Sequence, residues 1–414
     1  MYVLQYWLNP RTRWWYHSLP SVRWSFVIAV SMMLAFLLRI DKFSENRFFR
    51  PPPTKWLILN AMMLVLISNW AVWPTMHDRF VQDHIKLLVF IGIAYKVIDS
   101  PLKFERLMLT NIAGAFYVSY ETKKKGRNMF GRVEGTGPAD SGGDANKTAA
   151  SLISVLPVLV FFTIRSFVQK DDIWKRFLFL LFSAYTFNAI VLINSRGSFV
   201  GLALSFLYFG FRAWTHKLIT WKHRFQMVFL VFLGIAGFLY LADDAFWERI
   251  ASISEESESD DGGGGRKLFW SIAWDLAKVY PWGAGGWGFR YLSPQYVPAE
   301  FFPKNGGMRA EHSLYFQCLV ERGYLGATIW FIMFFSCFLF MQKARSFLLS
   351  SKMNPEYFLG IAIESGAIAF MVAAAFINVL NAEMLYWQVL FMVSYGNIYF
   401  LKNINSSKAM EGSF

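Results

Sequence analysis

Cysteine is almost missing from this chain. Two occur in 414 residues, Cys318 and Cys337. Both fall near or within one apolar segment and far apart along it, beyond the short reach of a disulfide. A disulfide framework and a cysteine-based metal cluster are therefore excluded. Carboxylates are also in the minority, with 28 Asp and Glu against 41 Lys and Arg. No paired-carboxylate motif stands in an ordered context. Asp260-Asp261 sits inside the run EESESDDGGGG, whose composition marks a solvated segment. No metal and no cofactor are expected. Internal repeats and inverted symmetry are lacking too, which argues against many transporter architectures.

What is abundant is apolar surface. Hydrophobic residues make up 55% of the chain and aromatic residues 19%, more than soluble domains of this length carry. Apolar stretches close to the ~20 residues needed to span a bilayer recur near 21–40, 55–73, 84–99, 106–120, 148–165, 174–194, 197–213, 225–242, 323–341, 357–377 and 384–401. The expected fold is all-α: a polytopic helical membrane protein with about eleven transmembrane helices. MYVLQYWLNP at the start reads like the end of a further span, which would make twelve if the start is truncated. Three regions follow: N-terminal transmembrane helices (1–242), a large loop (243–322) with amphipathic helices, and C-terminal transmembrane helices (323–414).

The formal charge of +13 is a topology signal rather than a nucleic-acid signal. Basic residues crowd the turns 39–55, 96–106, 165–176, 212–224 and 343–352, which fall on one side if every span crosses once. By the positive-inside bias that side is cytoplasmic, and the large loop is external. The 121–147 loop departs from the pattern, since Lys123, Lys124 and Lys125 would be external. Within the apolar spans, Lys96 can reach a span end, whereas Glu364 has no evident partner.

Candidate chemistry gathers on the external side. His312 lies beside Glu311 and Ser313 where the large loop re-enters the membrane, and an imidazole is suited to taking a proton near neutral pH. Arg196 sits in the tight turn Asn194–Ser198, where it either anchors to headgroups or binds an anion. Arg266 opens the amphipathic helix that Pro281 stops. A cation there opposes the helix dipole unless an anion is shared with the free amides. Arg290 and Arg309 are further external cations. Glu321 can orient a base or pair with Arg322 or Arg196. GAGGWG lacks the preceding strand of a dinucleotide site and reads as a turn. Trp270, Trp274, Trp282, Trp287 and Tyr291 suit either sugar stacking or an interfacial belt.

His312-Ser313, nine residues, Gly323 and Gly326 reproduce the spacing H-[SN]-x9-G-x-x-G. With NSRGS at 194–198, the block GRKLFWSIAWDLAKVYPWGAGGWGF, and Asp144-x-Asn146 before a helix with Pro157, the chain resembles the O-antigen ligase/polymerase superfamily. It looks closest to O-glycosylation ligases of exopolysaccharide and exosortase loci. The resemblance implies an inverting, metal-independent glycosyltransferase of the bacterial inner membrane, acting at the periplasmic face. Its donor would be a glycan on polyprenyl (undecaprenyl) diphosphate, and its acceptor a lipid, protein or glycan hydroxyl. Arg196 and Arg266 would bind the diphosphate, Arg290 and Arg309 would assist, His312 would act as base or orient the acceptor, and Glu321 would support it. A polymerase, a lipid-linked oligosaccharide transporter and a non-catalytic export scaffold stay open at this point.

Overall fold

The computed structural model describes residues 1–404 apart from 44–45, 130, 218, 243, 245, 248–263 and 303–306; the Asp260-Asp261 pair lies outside the described residues. Among these, all regular structure is helical. After the short α1 (Tyr2–Leu8) come α2 (Trp24–Leu37), α3 (Pro52–Ile67), α4 (Pro74–Val97), α5 (Pro101–Lys125), α6 (Ala145–Val168), α7 (Ile173–Ile193), α8 (Arg196–Trp214) and α9 (Trp221–Leu241). The large loop contributes α10 (Gly264–Val279) and α11 (Gly288–Tyr296), and the chain ends in α12 (Leu314–Ser350), α13 (Asn354–Ala374) and α14 (Glu383–Gly396). Each of the expected apolar segments falls on a helix. Five helices, α6, α7, α9, α12 and α13, are long and apolar enough to cross a membrane, and α2 and α3 are shorter apolar helices. The chain is an all-α polytopic membrane protein, as a lipid solvent demands of a backbone that must satisfy its own hydrogen bonds.

α13 forms the centre, packed on α6, α8, α12 and α14. Its small residues, Ala362, Ala367, Ala369 and Ala373, are all buried, which lets neighbouring backbones approach. The fold supplies Glu364 with two partners that the sequence does not reveal. Arg345 Nε of α12 lies 3.0 Å from Oε1, and the Tyr208 hydroxyl of α8 donates to Oε2 at 2.5 Å. One buried carboxylate thus ties three helices, where an unpaired charge would be prohibitive. Lys96 reaches outward, its Nζ 3.4 Å from the Phe43 carbonyl.

The helices alternate in direction. Asn46 donates to the Tyr95 carbonyl at 2.5 Å, Lys402 Nζ to the Asp99 carbonyl at 2.6 Å, and Arg165 pairs with Glu105 at 2.5 Å. The basic turns 39–55, 96–106 and 165–176 therefore share one end. At the other end, the Val72 amide donates to the Ala284 carbonyl at 3.0 Å, tying the α3–α4 turn to the large loop. The three lysines that depart from the charge bias are at that end, and the structure gives them packing roles. Lys123 lies 4.9 Å from the Tyr185 ring centroid, Lys124 lies 5.1 Å from that of Trp14, and Lys125 donates to the Glu134 carbonyl at 2.7 Å.

The helix expected to begin at 323 instead begins at Leu314, because Ser313 starts a turn whose carbonyl accepts from the Gln317 amide at 2.9 Å. It runs through Gly323, whose φ of 65° and ψ of −176° break the ladder. The glycine loop fills the break. Ala284 and Gly285 amides donate to the Val320 and Glu321 carbonyls at 2.8 and 3.1 Å, and the Tyr324 amide donates to the Pro281 carbonyl at 2.9 Å. The two glycine motifs are one seam. The N-terminal segment, expected as the tail of a span, is the seven-residue α1. Its Trp7 is fully buried and donates to Asn111 of α5 at 2.7 Å.

Candidate active site

At the end that carries the large loop, the N-termini of α6, α8, α10 and α12 converge. First-turn amides of a helix lack intrahelical acceptors and carry partial positive charge, so four such ends favour an anion between them. A cavity of about 270 Å³ lies there. Asn194, with a left-handed φ of 55°, closes α7 and turns the chain directly into α8, placing Arg196 in its first turn. Arg196, Arg266, Arg290, Arg309 and His312 all line the cavity. Five residues that the sequence scatters over more than a hundred positions therefore share one wall.

His312 is held unusually. Its φ of 50° is left-handed, a conformation that costs a non-glycine residue and marks functional positions. Asn378, from the turn after α13, holds it: its Oδ1 accepts from the His312 amide at 2.7 Å, and its Nδ2 donates to Glu311 Oε2 at 2.6 Å. Trp270 of α10 closes the same corner, donating to the Glu311 carbonyl at 2.9 Å. Burial pushes the Glu311 carboxyl up to about 7. Burial also pushes the His312 imidazole down to about 4, with Arg266, Arg290 and Arg309 adding to the shift and Asp144 opposing it. The free site thus holds a neutral imidazole among fixed cations at physiological pH.

Arg309 is anchored from below: its Nε donates to the Phe301 carbonyl, and its amide donates to Ser293 Oγ at 2.9 Å. Arg290 lies with its guanidinium carbon 4.3 Å from the centroid of Trp287. Glu321 is placed differently from the expectation. It does not line the cavity and pairs with neither Arg322 nor Arg196. Its Oε1 accepts from the Trp287 amide at 3.0 Å and from Gln317 Nε2 at 3.1 Å, whereas Arg322 turns to Asn60 and to the Tyr386 hydroxyl. Two turns of helix separate Ser313 from Glu321, about 12 Å at 1.5 Å per residue. Glu321 therefore holds the Trp287 amide of the glycine loop, outside the cavity lining.

Sequence reasoning missed Arg132, Lys147 and Asn378, which also line the cavity, and gave Asp144 no role there. Arg132 donates to Asn146 at 3.0 Å, and Asp144 caps α6 by accepting from the Lys147 amide at 3.1 Å. The signal lay in the 121–147 loop, whose positive charge did not fit its side of the membrane. Among the described lining residues there are thus six permanent cations and one carboxylate. Among the described residues no group of three His, Cys, Asp or Glu side chains is arranged to hold a metal ion. Such a cavity can neutralise a multiply charged anion and present a neutral nitrogen beside it.

Asn378→Ala is expected to lower any activity of this cavity about tenfold or more, since it frees the His312 backbone and removes the side-chain donor to the buried Glu311 carboxyl. Turnover by the reconstituted protein reads the loss, and an unchanged kcat would remove Asn378 from any positioning role.

A family model described as O-antigen ligase (Wzy_C) matches residues 177–331, from α7 through the first part of α12. The match takes in Arg196, Arg266, Arg290, Arg309, His312 and Glu321. No curated protein matches the chain.

Proposed function

From the match of residues 177–331 to the O-antigen ligase family model, we propose that this membrane protein belongs to the O-antigen ligase/polymerase superfamily and transfers a glycan from polyprenyl (undecaprenyl) diphosphate to an acceptor hydroxyl at the periplasmic face of the bacterial inner membrane. The observation that carries this reading is the convergence of six cations, four helix N-termini and a neutral histidine on one cavity at the large-loop end. A diphosphate leaving group accumulates negative charge as its bond to the sugar breaks. Cations fixed in advance stabilise that charge without reorganisation.

The reaction runs as a single inverting displacement. The acceptor oxygen attacks the anomeric carbon while the carbon–oxygen bond to the diphosphate breaks. The bonding pair leaves with the diphosphate, and the hydroxyl proton passes to the His312 imidazole. Arg196 and Arg266, from the first turns of α8 and α10, hold the diphosphate, with Arg290 and Arg309 behind them. Asp144 favours the imidazolium that forms. The cations supply what a divalent metal supplies elsewhere, so the proposed reaction is metal-independent.

Purified protein in lipid nanodiscs, given a polyprenyl-diphosphate-linked oligosaccharide and a lipid acceptor, tests the reading. Arg196→Ala and Arg266→Ala are each expected to weaken donor binding by about tenfold to a hundredfold, the value of a charge-assisted contact of about 1.5–3 kcal/mol. Donor affinity unchanged in both variants overturns the diphosphate assignment, and loss of transfer on chelation overturns the metal-independent mechanism. A polymerase would use the same site and differ in its acceptor. In cells, loss of the protein would then shorten chains rather than leave long chains on the carrier. A transporter receives less support, because the cations gather at one end rather than at the midplane.

A further inference from the structure

The aromatic residues around the cavity do not form one class. Trp270 turns inward and stacks on Phe316, with ring centroids 5.6 Å apart, so its role is structural. Trp287 is different. Its φ of 64° is left-handed, and its amide is fixed by the buried carboxylate of Glu321. Backbone strain is thus maintained at a residue that is still 37% exposed. Arg290 joins this ring to the cavity, since its guanidinium lies over the indole and also lines the anion site. One turn along α11, Tyr291 is 41% exposed, and its ring centroid lies 5.4 Å from that of Trp73 at the start of α4. Trp287, Tyr291 and Trp73 therefore make an aromatic shelf that begins at the cavity edge and leads away from it.

Resting on the glycosyltransferase reading above, we infer that this shelf is the binding site for the sugar rings of the donor, with the pyranose nearest the diphosphate on Trp287 and the next on Tyr291 and Trp73. Arg290 both lines the cavity and lies over Trp287, so a sugar that leaves the cavity on the Arg290 side meets this ring first. The apolar C–H face of a pyranose matches an exposed aromatic face, and the Arg290 contact makes the shelf continuous with the phosphate site. A headgroup belt needs neither the fixed Trp287 backbone nor that continuity. The shelf recognises ring faces rather than particular hydroxyls, so it tolerates different sugars and favours donors longer than one residue.

The test uses the full chain in nanodiscs and two probes: undecaprenyl diphosphate alone, and undecaprenyl diphosphate carrying a disaccharide of N-acetylglucosamine. Tyr291→Ala and Trp73→Ala are each expected to weaken the disaccharide probe about fivefold, the factor given by an aromatic contact of about 1 kcal/mol. Neither should move the Kd of the sugarless probe, and Tyr291→Phe should keep both affinities. Equal weakening of both probes would overturn the shelf, since the residues would then act on the phosphate site or on seating in the membrane. Unchanged affinity for both would overturn it as well. A wild-type chain that binds neither probe sinks the glycosyltransferase reading, and the shelf with it.

Discussion

His312→Ala is expected to lower kcat about a thousandfold, within the range for loss of a general base, while donor affinity stays near that of the unaltered protein. The asymmetry follows from charge. The imidazole of the free site is neutral, so removing it takes no cation from the diphosphate. The pH dependence carries a further expectation. A histidine pushed down to about 4 is base-competent above that pH and lost as a base below it. The charged groups that act on it are Arg266, Arg290 and Arg309, which favour the neutral form, and Asp144, which favours the imidazolium. A bound diphosphate neutralises the arginines and strengthens the base when the substrate is in place. The acid limb of kcat/KM, which reports the free enzyme, should therefore lie near pH 4, with the limb of kcat at higher pH. Rate profiles from about pH 3 to 8 read both limbs. Coincident limbs would show that the cations do not hold His312 in check.

Gly323→Ala is expected to cost about 3–5 kcal/mol of stability, visible as a large fall in thermal midpoint in detergent and in yield. Its φ and ψ fall where only glycine is comfortable, a strain of about 1–3 kcal/mol for other residues. A methyl group there would also meet the Pro281 carbonyl and the Gly283 amide. Three hydrogen bonds cross this seam, each worth about 1 kcal/mol. An alanine variant as stable as the parent would show that the break in α12 closes without the glycine loop.

The helical architecture was legible because long apolar runs have few solutions in lipid. Arg196, Arg266, Arg290 and Arg309 stood out because the charge bias left them unexplained, and His312 because it lies beside Glu311 and Ser313 where the large loop meets a helix; the fold brings all five to one cavity. The remaining wall of the cavity was not. Asn378 follows α13, and Arg132 and Lys147 flank the α5–α6 loop, so nothing local connects them with His312. That Glu321 pairs with neither Arg322 nor Arg196 was not legible, for the opposite reason. Glu321 is close to His312 in sequence, but helix geometry carries it two turns away, to the Trp287 amide. Glu364 looked unpaired because Arg345 and Tyr208 reach it from other helices, and pairing between helices leaves no periodic trace.

The nine residues between Ser313 and Gly323 act as a ruler. One end is the start of α12 beside His312, and the other is the seam with the glycine loop. A helix advances about 1.5 Å and turns about 100° per residue. Adding or deleting one residue in this interval would swing His312 by more than a quarter turn relative to Arg290, which the seam carries on its far side. Within this stretch, length matters more than composition: many apolar side chains would serve, but only one count brings the imidazole and the arginine to the same cavity.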